Sequence, residues 1–213
     1  MAEIESLTLG AIFYPQFELL DVYGPLEMFG NLGERVSIVT VAEQAGPVAS
    51  AQGPRTLADY GFDDCPKLDL ILLPGGIGTL AELTNDKLLR FLTDRSAEAA
   101  VTMSVCTGSA LLAKAGLLDG LRATSNKQFF DLSVQQSDKV EWIAAARWVD
   151  AGRIATSSGV SAGMDMALAI IERLFSAEDA ETICALTEYQ RHTDPDSDPF
   201  VRYLNQFMPQ AQA

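Results

Sequence analysis

A cysteine with small neighbours is the residue of this sequence best suited to chemistry. Cys106 lies in the segment SVCTGS (residues 104–109), between an aliphatic run and a stretch of helical composition. Small residues two positions before and after it are typical of a nucleophile elbow, a tight strand-to-helix turn that presents the nucleophile. At a helix N-terminus the pKa of the thiol would be lowered, which favours the reactive thiolate. A small, inert cysteine packed at this junction is the alternative, and the pattern leaves both open.

Two further segments could act on a substrate beside this cysteine. Gly75 and Gly76 follow an aliphatic run, and their backbone amides could stabilise a developing negative charge as an oxyanion hole. Asp21 has apolar neighbours, and a carboxyl held there would have a raised pKa and could serve as a general acid. A tight turn at the glycines, and a helix N-terminal carboxylate at Asp21, are the structural alternatives. We expect Glu18 to face solvent.

Composition excludes several other kinds of site. The 213 residues include one histidine, so a site with several histidine ligands is excluded, and we expect His192 to be a surface residue. The three cysteines show no CxxC spacing, and we expect Cys184 to lie in the core and Cys65 in a loop. The aspartates within residues 194–198 lack the glycine and distal glutamate of a calcium loop. The sequence therefore predicts neither a metal nor a cofactor.

Charge and hydropathy limit the partners and the compartment. Lys and Arg total 15 against 29 Asp and Glu, and the net charge of −14 disfavours binding to nucleic acid. The acidic N-terminus lacks the pattern of a signal peptide, and no apolar run is long enough to span a membrane. We therefore expect a cytoplasmic protein whose partner is a small molecule.

Aliphatic runs alternate with helical patterns along the chain. This alternation predicts an α/β fold: a single-domain, three-layer αβα sandwich with a mostly parallel, flavodoxin-like central sheet. No linker divides residues 1–213, and we place the core at about 6–190 and a C-terminal tail at 191–213. The predicted elements are strands at 7–13, 35–41, 68–73 and 100–105, helices at 20–32, 86–97, 107–115 and 164–175, an extended excursion at 47–56 and a hairpin within 142–154.

Two short signals and one topological rule complete this picture. Thr79 with Glu82, and Ser176 with Asp179, have the spacing of capping boxes and predict two further helix starts. In open parallel sheets the active site lies beyond the carboxyl ends of the strands. We therefore expect the segment after residue 13, the glycine pair and Cys106 to come together.

Taken together, five segments resemble the ThiJ/PfpI superfamily, whose members share the class I glutamine amidotransferase-like fold. They occur in the family's order and are LDVYGP (20–25), LPGG (73–76), VCTGS (105–109), AGLLDG (115–120) and TSSGVSAG (156–163). Within the superfamily, the first and third segments look most like those of isonitrile hydratases. The resemblance implies an enzyme that adds water to an isonitrile to give an N-substituted formamide, working as a homodimer without a cofactor.

The resemblance also implies roles for individual residues. Cys106 would be the nucleophile, Asp21 its acidic partner and Thr107 a supporting contact, with the Gly75 and Gly76 amides near the reacting carbon. Asn126 stands where many members carry histidine, and we place it among the substrate-binding residues. Because the residue after the cysteine is also not histidine, a Cys–His dyad is doubtful, which speaks against proteolysis.

Two other functions use the same residues. The first is glyoxalase or deglycase activity on 2-oxoaldehydes, with Cys106 and Asp21 in equivalent roles. The second is a redox sensor in which Cys106 is oxidised to a sulfinate held by the Asp21 carboxyl. Ligand sensing in a transcriptional regulator is disfavoured, because such regulators need a basic helix-turn-helix module and this sequence has a net charge of −14.

Overall fold

Strands rich in aliphatic residues form the centre of the protein, a computed structural model that describes residues 6–206. In chain order the strands are β1 (Leu7–Ile12), β2 (Val36–Val41), β3 (Gly46–Ala49), β4 (Arg55–Ala58), β5 (Leu70–Leu73), β6 (Val101–Ser104), β7 (Arg122–Ala123), β8 (Glu141–Trp142), β9 (Trp148–Asp150) and β10 (Ile154–Ser157). The helices are α1 (Leu19–Gly30), α2 (Thr79–Glu82), α3 (Asp86–Glu98), α4 (Gly108–Lys114), α5 (Phe130–Val134), α6 (Ala162–Leu174) and α7 (Ala177–Thr187), and 3-10 turns lie at Gly33–Arg35 and Pro199–Tyr203.

The main sheet has six strands in the order β2-β1-β5-β6-β10-β9. All neighbours are parallel except β9, which pairs antiparallel with β10 at one edge. Every residue of β5, β6 and β10 is buried, as expected for central strands that are covered on both faces. The five parallel strands follow the flavodoxin-like order, so the predicted fold class is confirmed.

Helices flank the sheet and complete the three layers. Helix α1 packs against α6, with α7 next to α6, while α3 and α4 pack against each other. Helix α3 begins where the Asn85 side chain accepts hydrogen bonds from the amides of Lys87 and Leu88, a typical N-cap. Among residues 6–206 no helix has both the length and the apolar character needed to cross a membrane.

The structure confirms some of the local predictions and corrects others. The Ser176 hydroxyl accepts from the Asp179 amide at 3.1 Å, which confirms that cap. The cap predicted at Thr79 is wrong, because Thr79 lies inside α2 and its hydroxyl contacts other side chains. The hairpin is shorter than predicted: it joins β9 to β10, whereas Trp142 belongs to β8, which pairs with β7. The extended excursion is the two-stranded sheet of β3 and β4.

The segment after α7 packs against the rest of the protein. Its Pro195 carbonyl accepts from the Arg147 amide at 2.7 Å, and its Asp198 amide donates to the Ala145 carbonyl at 2.8 Å. Asp198 itself is buried. Residues 191–206 of the predicted tail therefore belong to the folded structure, and residues 207–213 lie outside the described residues.

Candidate active site

Cys106 occupies a strained turn between β6 and α4. Its φ angle is 59°, a left-handed conformation that is uncommon for residues other than glycine. The turn is held firmly: the Cys106 amide donates to the Ser158 carbonyl at 3.2 Å, and the Cys106 carbonyl accepts from the hydroxyls of Ser109 and Ser125. Such strain persists where the surroundings fix the backbone, and it is frequent at active sites. The geometry is that of the predicted nucleophile elbow.

The elbow depends on a small residue two positions after the cysteine. We expect Gly108→Ala to lower the free energy of unfolding by about 2–3 kcal/mol, because overpacking at a rigid backbone is costly. A Cβ there would lie 2.6 Å from the Pro74 carbonyl oxygen and 2.8 Å from that of Leu73. Urea unfolding measures the change. At the control site Gly30 the nearest atom to a Cβ is 3.7 Å away, so Gly30→Ala should be tolerated, and equal losses in both variants would contradict the steric explanation.

The three predicted segments meet beside the elbow. The Glu18 amide donates to the Gly75 carbonyl at 2.9 Å, and the Gly75 amide donates to Asp21 Oδ2 at 2.8 Å. The Gly76 amide donates to Thr107 Oγ1 at 3.1 Å. Both glycine amides thus already have acceptors within the protein, and either would have to give up its bond to act in an oxyanion hole.

Asp21 and Cys106 form an acidic pair in which both groups hold their protons at neutral pH. Burial raises the pKa of Asp21 from its ordinary 3.8 to about 8, against the lowering effect of the Gly75 amide. Burial also raises the pKa of the Cys106 thiol well above its ordinary value, and the negative charge of Asp21 adds to this. The prediction of a raised pKa at Asp21 is confirmed. The lowered thiol pKa predicted from the helix N-terminus is wrong, because burial and the neighbouring carboxyl outweigh it.

We expect the free energy of unfolding of Asp21→Asn, relative to that of the wild-type protein, to increase as the pH rises. In the folded protein this carboxyl titrates near pH 8, whereas in the unfolded chain it titrates near 3.8. The stability that it contributes is therefore complete below about pH 4 and is lost as the pH rises through about 8. Since asparagine cannot ionise, the advantage of the variant should grow by a few kcal/mol, as an order of magnitude, between about pH 5 and 9.

Urea unfolding at a series of pH values measures this advantage. The exposed Asp138 provides the control, because Asp138→Asn should show no comparable growth. A stability difference between Asp21→Asn and wild type that stayed constant with pH would contradict a protonated Asp21.

Asn126 completes the surroundings of the sulfur. Its side-chain Nδ2 donates to Cys106 Sγ at 3.1 Å, while its Oδ1 accepts from the amides of Gln128 and Phe129. A Cβ on Gly159 would collide with the Asn126 amide, so a larger residue there would displace the carboxamide. The carboxamide is fixed at both ends, and its N–H lowers the pKa of the thiol that burial raises.

Thr107 supports the glycine loop through a chain of buried hydroxyls. Thr107 Oγ1 accepts from the Gly76 amide and lies 2.9 Å from Thr79 Oγ1. Thr79 in turn lies 3.1 Å from the Tyr14 hydroxyl, which donates to the Pro74 carbonyl at 2.7 Å. The chain joins the ends of β1, β5 and β6 behind the cysteine, so the structure places Thr107 as a contact that holds the loop.

A cavity of about 680 Å³ opens above Cys106. Its lining is mostly apolar or uncharged and consists of Glu18, Ala51, Gly76, Ile77, Leu80, Cys106, Thr107, Asn126, Gln128, Phe129, Leu132 and Val160. Glu18, which we expected to face solvent, is half-buried here, and both its carboxylate oxygens lie 2.8 Å from Gln52 Nε2. Asp21 lies behind the cysteine and does not line the cavity.

The sequence analysis missed the apolar wall of this cavity. Ile77 and Leu80 come from the glycine loop and α2, Phe129 and Leu132 from around α5, and Val160 from the turn before α6. Single apolar residues in loops carry no periodic signal. Only Val160 has a distinctive mark, a φ of 49° that is rare for a β-branched residue, and this mark is visible only in the structure.

The remaining candidates lie away from the cavity. Cys65 is buried with its sulfur 3.2 Å from Arg95, and Cys184 is half-buried on α7. The backbone of His192 donates to Asp165, and its ring lies 3.0 Å from the Ser197 carbonyl. In the described part of the chain, no group of three or more His, Cys, Asp or Glu residues could hold a metal ion.

Comparisons with known proteins agree with this architecture. The sequence pattern of the DJ-1/PfpI family matches residues 11–173. The isonitrile hydratase of Pseudomonas putida is 33% identical over 86% of this chain and 79% of its own length. A solved ThiJ/PfpI family protein from Pseudomonas syringae is 34% identical, with a TM-score of 0.79 over 88% of this chain and 76% of the other.

More distant relatives carry other names. The deglycase TK1284 of Thermococcus kodakarensis is 28% identical over 68% of this chain and 82% of its own length. The HTH-type transcriptional regulator GbdR of Pseudomonas aeruginosa is 28% identical over 86% of this chain, which spans only 51% of the regulator.

Proposed function

Because the chain belongs to the DJ-1/PfpI family, we propose that it is a cysteine-dependent enzyme that adds water to an isonitrile and releases an N-substituted formamide. The observation that carries this proposal is the pairing of Cys106 with a buried carboxyl whose pKa is about 8. A carboxyl with this pKa is an acid at neutral pH, and its conjugate base can accept the thiol proton. The similarity to the isonitrile hydratase of Pseudomonas putida supports the same substrate class.

The reaction needs one proton from each member of the pair. Asp21 donates its proton to the terminal carbon of the isonitrile, which becomes an electrophilic nitrilium carbon. The Cys106 sulfur attacks this carbon while its proton passes to the Asp21 carboxylate, and a neutral thioimidate forms. Water then adds to the same carbon, and the thiol leaves with a proton to give the formamide. Both groups end in the protonation states in which they began.

The shape of the site suits this substrate. Asp21 is fully buried and does not line the cavity, whereas Cys106 does, so the reacting atom has to pass beside the sulfur to reach the Asp21 carboxyl. An isonitrile is linear, and its reacting carbon is terminal and carries no substituent except nitrogen. The wall formed by residues such as Leu80, Phe129 and Leu132 favours an apolar group on that nitrogen.

Incubation with an alkyl isocyanide tests the proposal. Chromatography should detect the corresponding formamide, formed in proportion to the enzyme concentration, and an isonitrile with an apolar substituent should react better than one with an anionic substituent. Absence of formamide from a panel of alkyl and aryl isocyanides would overturn the proposal.

Deglycase or glyoxalase activity is the second candidate, and similarity to the deglycase TK1284 is the observation that favours it. Formation of lactate from methylglyoxal, without formamide formation, would establish it in place of hydration. The redox-sensor alternative is less favoured, because the thiolate is the oxidisable form and the pKa of Cys106 is raised.

We also propose a homodimer, as the family resemblance implies. Exposed apolar side chains on α1 and on the neighbouring β4, among them Leu20, Tyr23 and Leu57, could supply such a contact. The Tyr23 and Thr56 hydroxyls are hydrogen-bonded, which connects the two elements. A molar mass in solution equal to that of one chain would contradict this.

A further inference from the structure

Lys127 is a buried lysine that the proposed reaction does not use. It is only 2% exposed. Its ammonium donates to Thr124 Oγ1 at 2.8 Å, to the Ala146 carbonyl at 2.6 Å and to the Ser125 carbonyl at 3.3 Å. A buried ammonium is costly unless hydrogen bonds and an opposite charge compensate it. These bonds tie the loop that contains Lys127 to the segment before β9.

The opposite charge comes from the C-terminal segment. Asp198 is buried, with Oδ2 3.7 Å from Lys127 Nζ and Oδ1 3.8 Å from Arg147 Nη1. Arg147 also donates from Nε to Asp165 Oδ2 at 2.7 Å. Two cations and two carboxylates therefore balance one another inside the protein. Removing Asp198 would leave Lys127 without its counter-charge.

The backbone of the same segment fastens this loop at a second point. The Asn205 amide donates to the Lys127 carbonyl at 2.7 Å, and Asn205 Oδ1 accepts from the Asp131 amide at 2.8 Å. Residues 195–206 thus hold the loop 124–131 from outside, through one buried charge pair and two hydrogen bonds. The loop reaches the active site on its other side.

On that inner side, the residue next to Lys127 touches the nucleophile. Asn126 donates to Cys106 Sγ, and Gln128 and Phe129 line the cavity. We propose that Lys127 and Asp198 are positioning residues, which hold the Asn126 carboxamide against the Cys106 sulfur. This proposal deepens the proposed function, since it concerns the same thiol, but its test needs no isonitrile.

The rate at which iodoacetamide alkylates Cys106 reports this contact, because only the thiolate reacts. We expect Lys127→Met to slow alkylation about threefold near pH 7, since a lost hydrogen bond to the sulfur raises the pKa of the thiol by about half a unit. The effect should shrink toward pH 9, because burial lowers the pKa of Lys127 to about 8 and its ammonium loses the charge that pairs with Asp198. Mass spectrometry follows each cysteine separately, and Cys184 serves as the internal reference. The exposed Lys139 provides a matched control, and Lys139→Met should leave the rate unchanged.

A double-mutant cycle separates positioning from a general loss of structure. If Lys127 acts through Asn126, then Lys127→Met should have almost no further effect in an Asn126→Ala background. An equal effect in both backgrounds, or no effect in the wild-type background, would overturn the proposal.

Two variants cover the case in which Lys127→Met fails to fold. Lys127→Met combined with Asp198→Asn leaves neither member of the pair charged and unpaired, and Asn205→Ala removes only the side-chain bond to the Asp131 amide. Both should slow Cys106 alkylation, and both should lose this effect in the Asn126→Ala background. If the protein shows this coupling but makes no formamide, the positioning role of Lys127 and Asp198 stands and the proposed hydratase activity is wrong.

Discussion

Replacing Cys106 with alanine should reduce formamide formation about ten-thousandfold or more, because the thioimidate forms on its sulfur. The Glu18 carboxylate and the Thr107 hydroxyl also line the cavity, but they are hydrogen-bonded to Gln52, Gly76 and Thr79 and are weaker nucleophiles than a thiol. Initial rates with one alkyl isocyanide measure the loss. Cys184→Ala is the matched control, since Cys184 lies on α7 away from the cavity, and it should keep nearly all the activity. If the Cys106 variant retained more than about a tenth of the wild-type rate, the thioimidate route would be wrong.

Replacing Asp21 with asparagine should lower the same rate about a hundredfold to ten-thousandfold, because the proton donor and the acceptor for the thiol proton are both removed. The wild-type rate should also fall as the pH rises through about 8, where Asp21 loses its proton. The rate of the variant should not show this fall. Rates measured from about pH 5 to 10 test both expectations.

Glu18 supplies the matched carboxyl for this prediction. It lines the cavity, but its two oxygens face Gln52, and it contacts neither Cys106 nor Asp21 by a hydrogen bond among those described. Glu18→Gln should therefore lower the rate far less than Asp21→Asn. Equal losses in the two variants would mean that general negative charge, and no specific acid, supports the reaction.

The positions of the catalytic candidates could be predicted because their signals are local. An aliphatic run that ends at a small-residue turn marks the carboxyl end of a buried strand, and the topology of a parallel sheet brings such ends together. This logic places Cys106, Asp21 and the glycine pair in one site without any knowledge of side-chain contacts.

The electrostatics of the site could not be predicted in the same way. A helix N-terminus suggests a low thiol pKa, but the actual shift depends on burial and on the distance to the Asp21 carboxyl, which only the packed structure defines. Similarly, Thr79 has the spacing of a helix cap, yet its hydroxyl is hydrogen-bonded to the hydroxyls of Tyr14 and Thr107. Asp198 lies in a polar, turn-rich stretch in which nothing in the sequence indicates a buried charge.

The occupied amides of Gly75 and Gly76 bear on the choice between the two candidate reactions. Attack of a thiolate on an aldehyde carbonyl creates an alkoxide, which needs free N–H donors at once. Attack on a protonated isonitrile creates no negative oxygen, and the adduct formed after water adds is uncharged. With one amide bonded to Asp21 and the other to Thr107, this site offers little solvation for an alkoxide. Its polar groups are arranged for chemistry in which the one negative charge that forms lies on the Asp21 carboxylate, to which the Gly75 amide already donates.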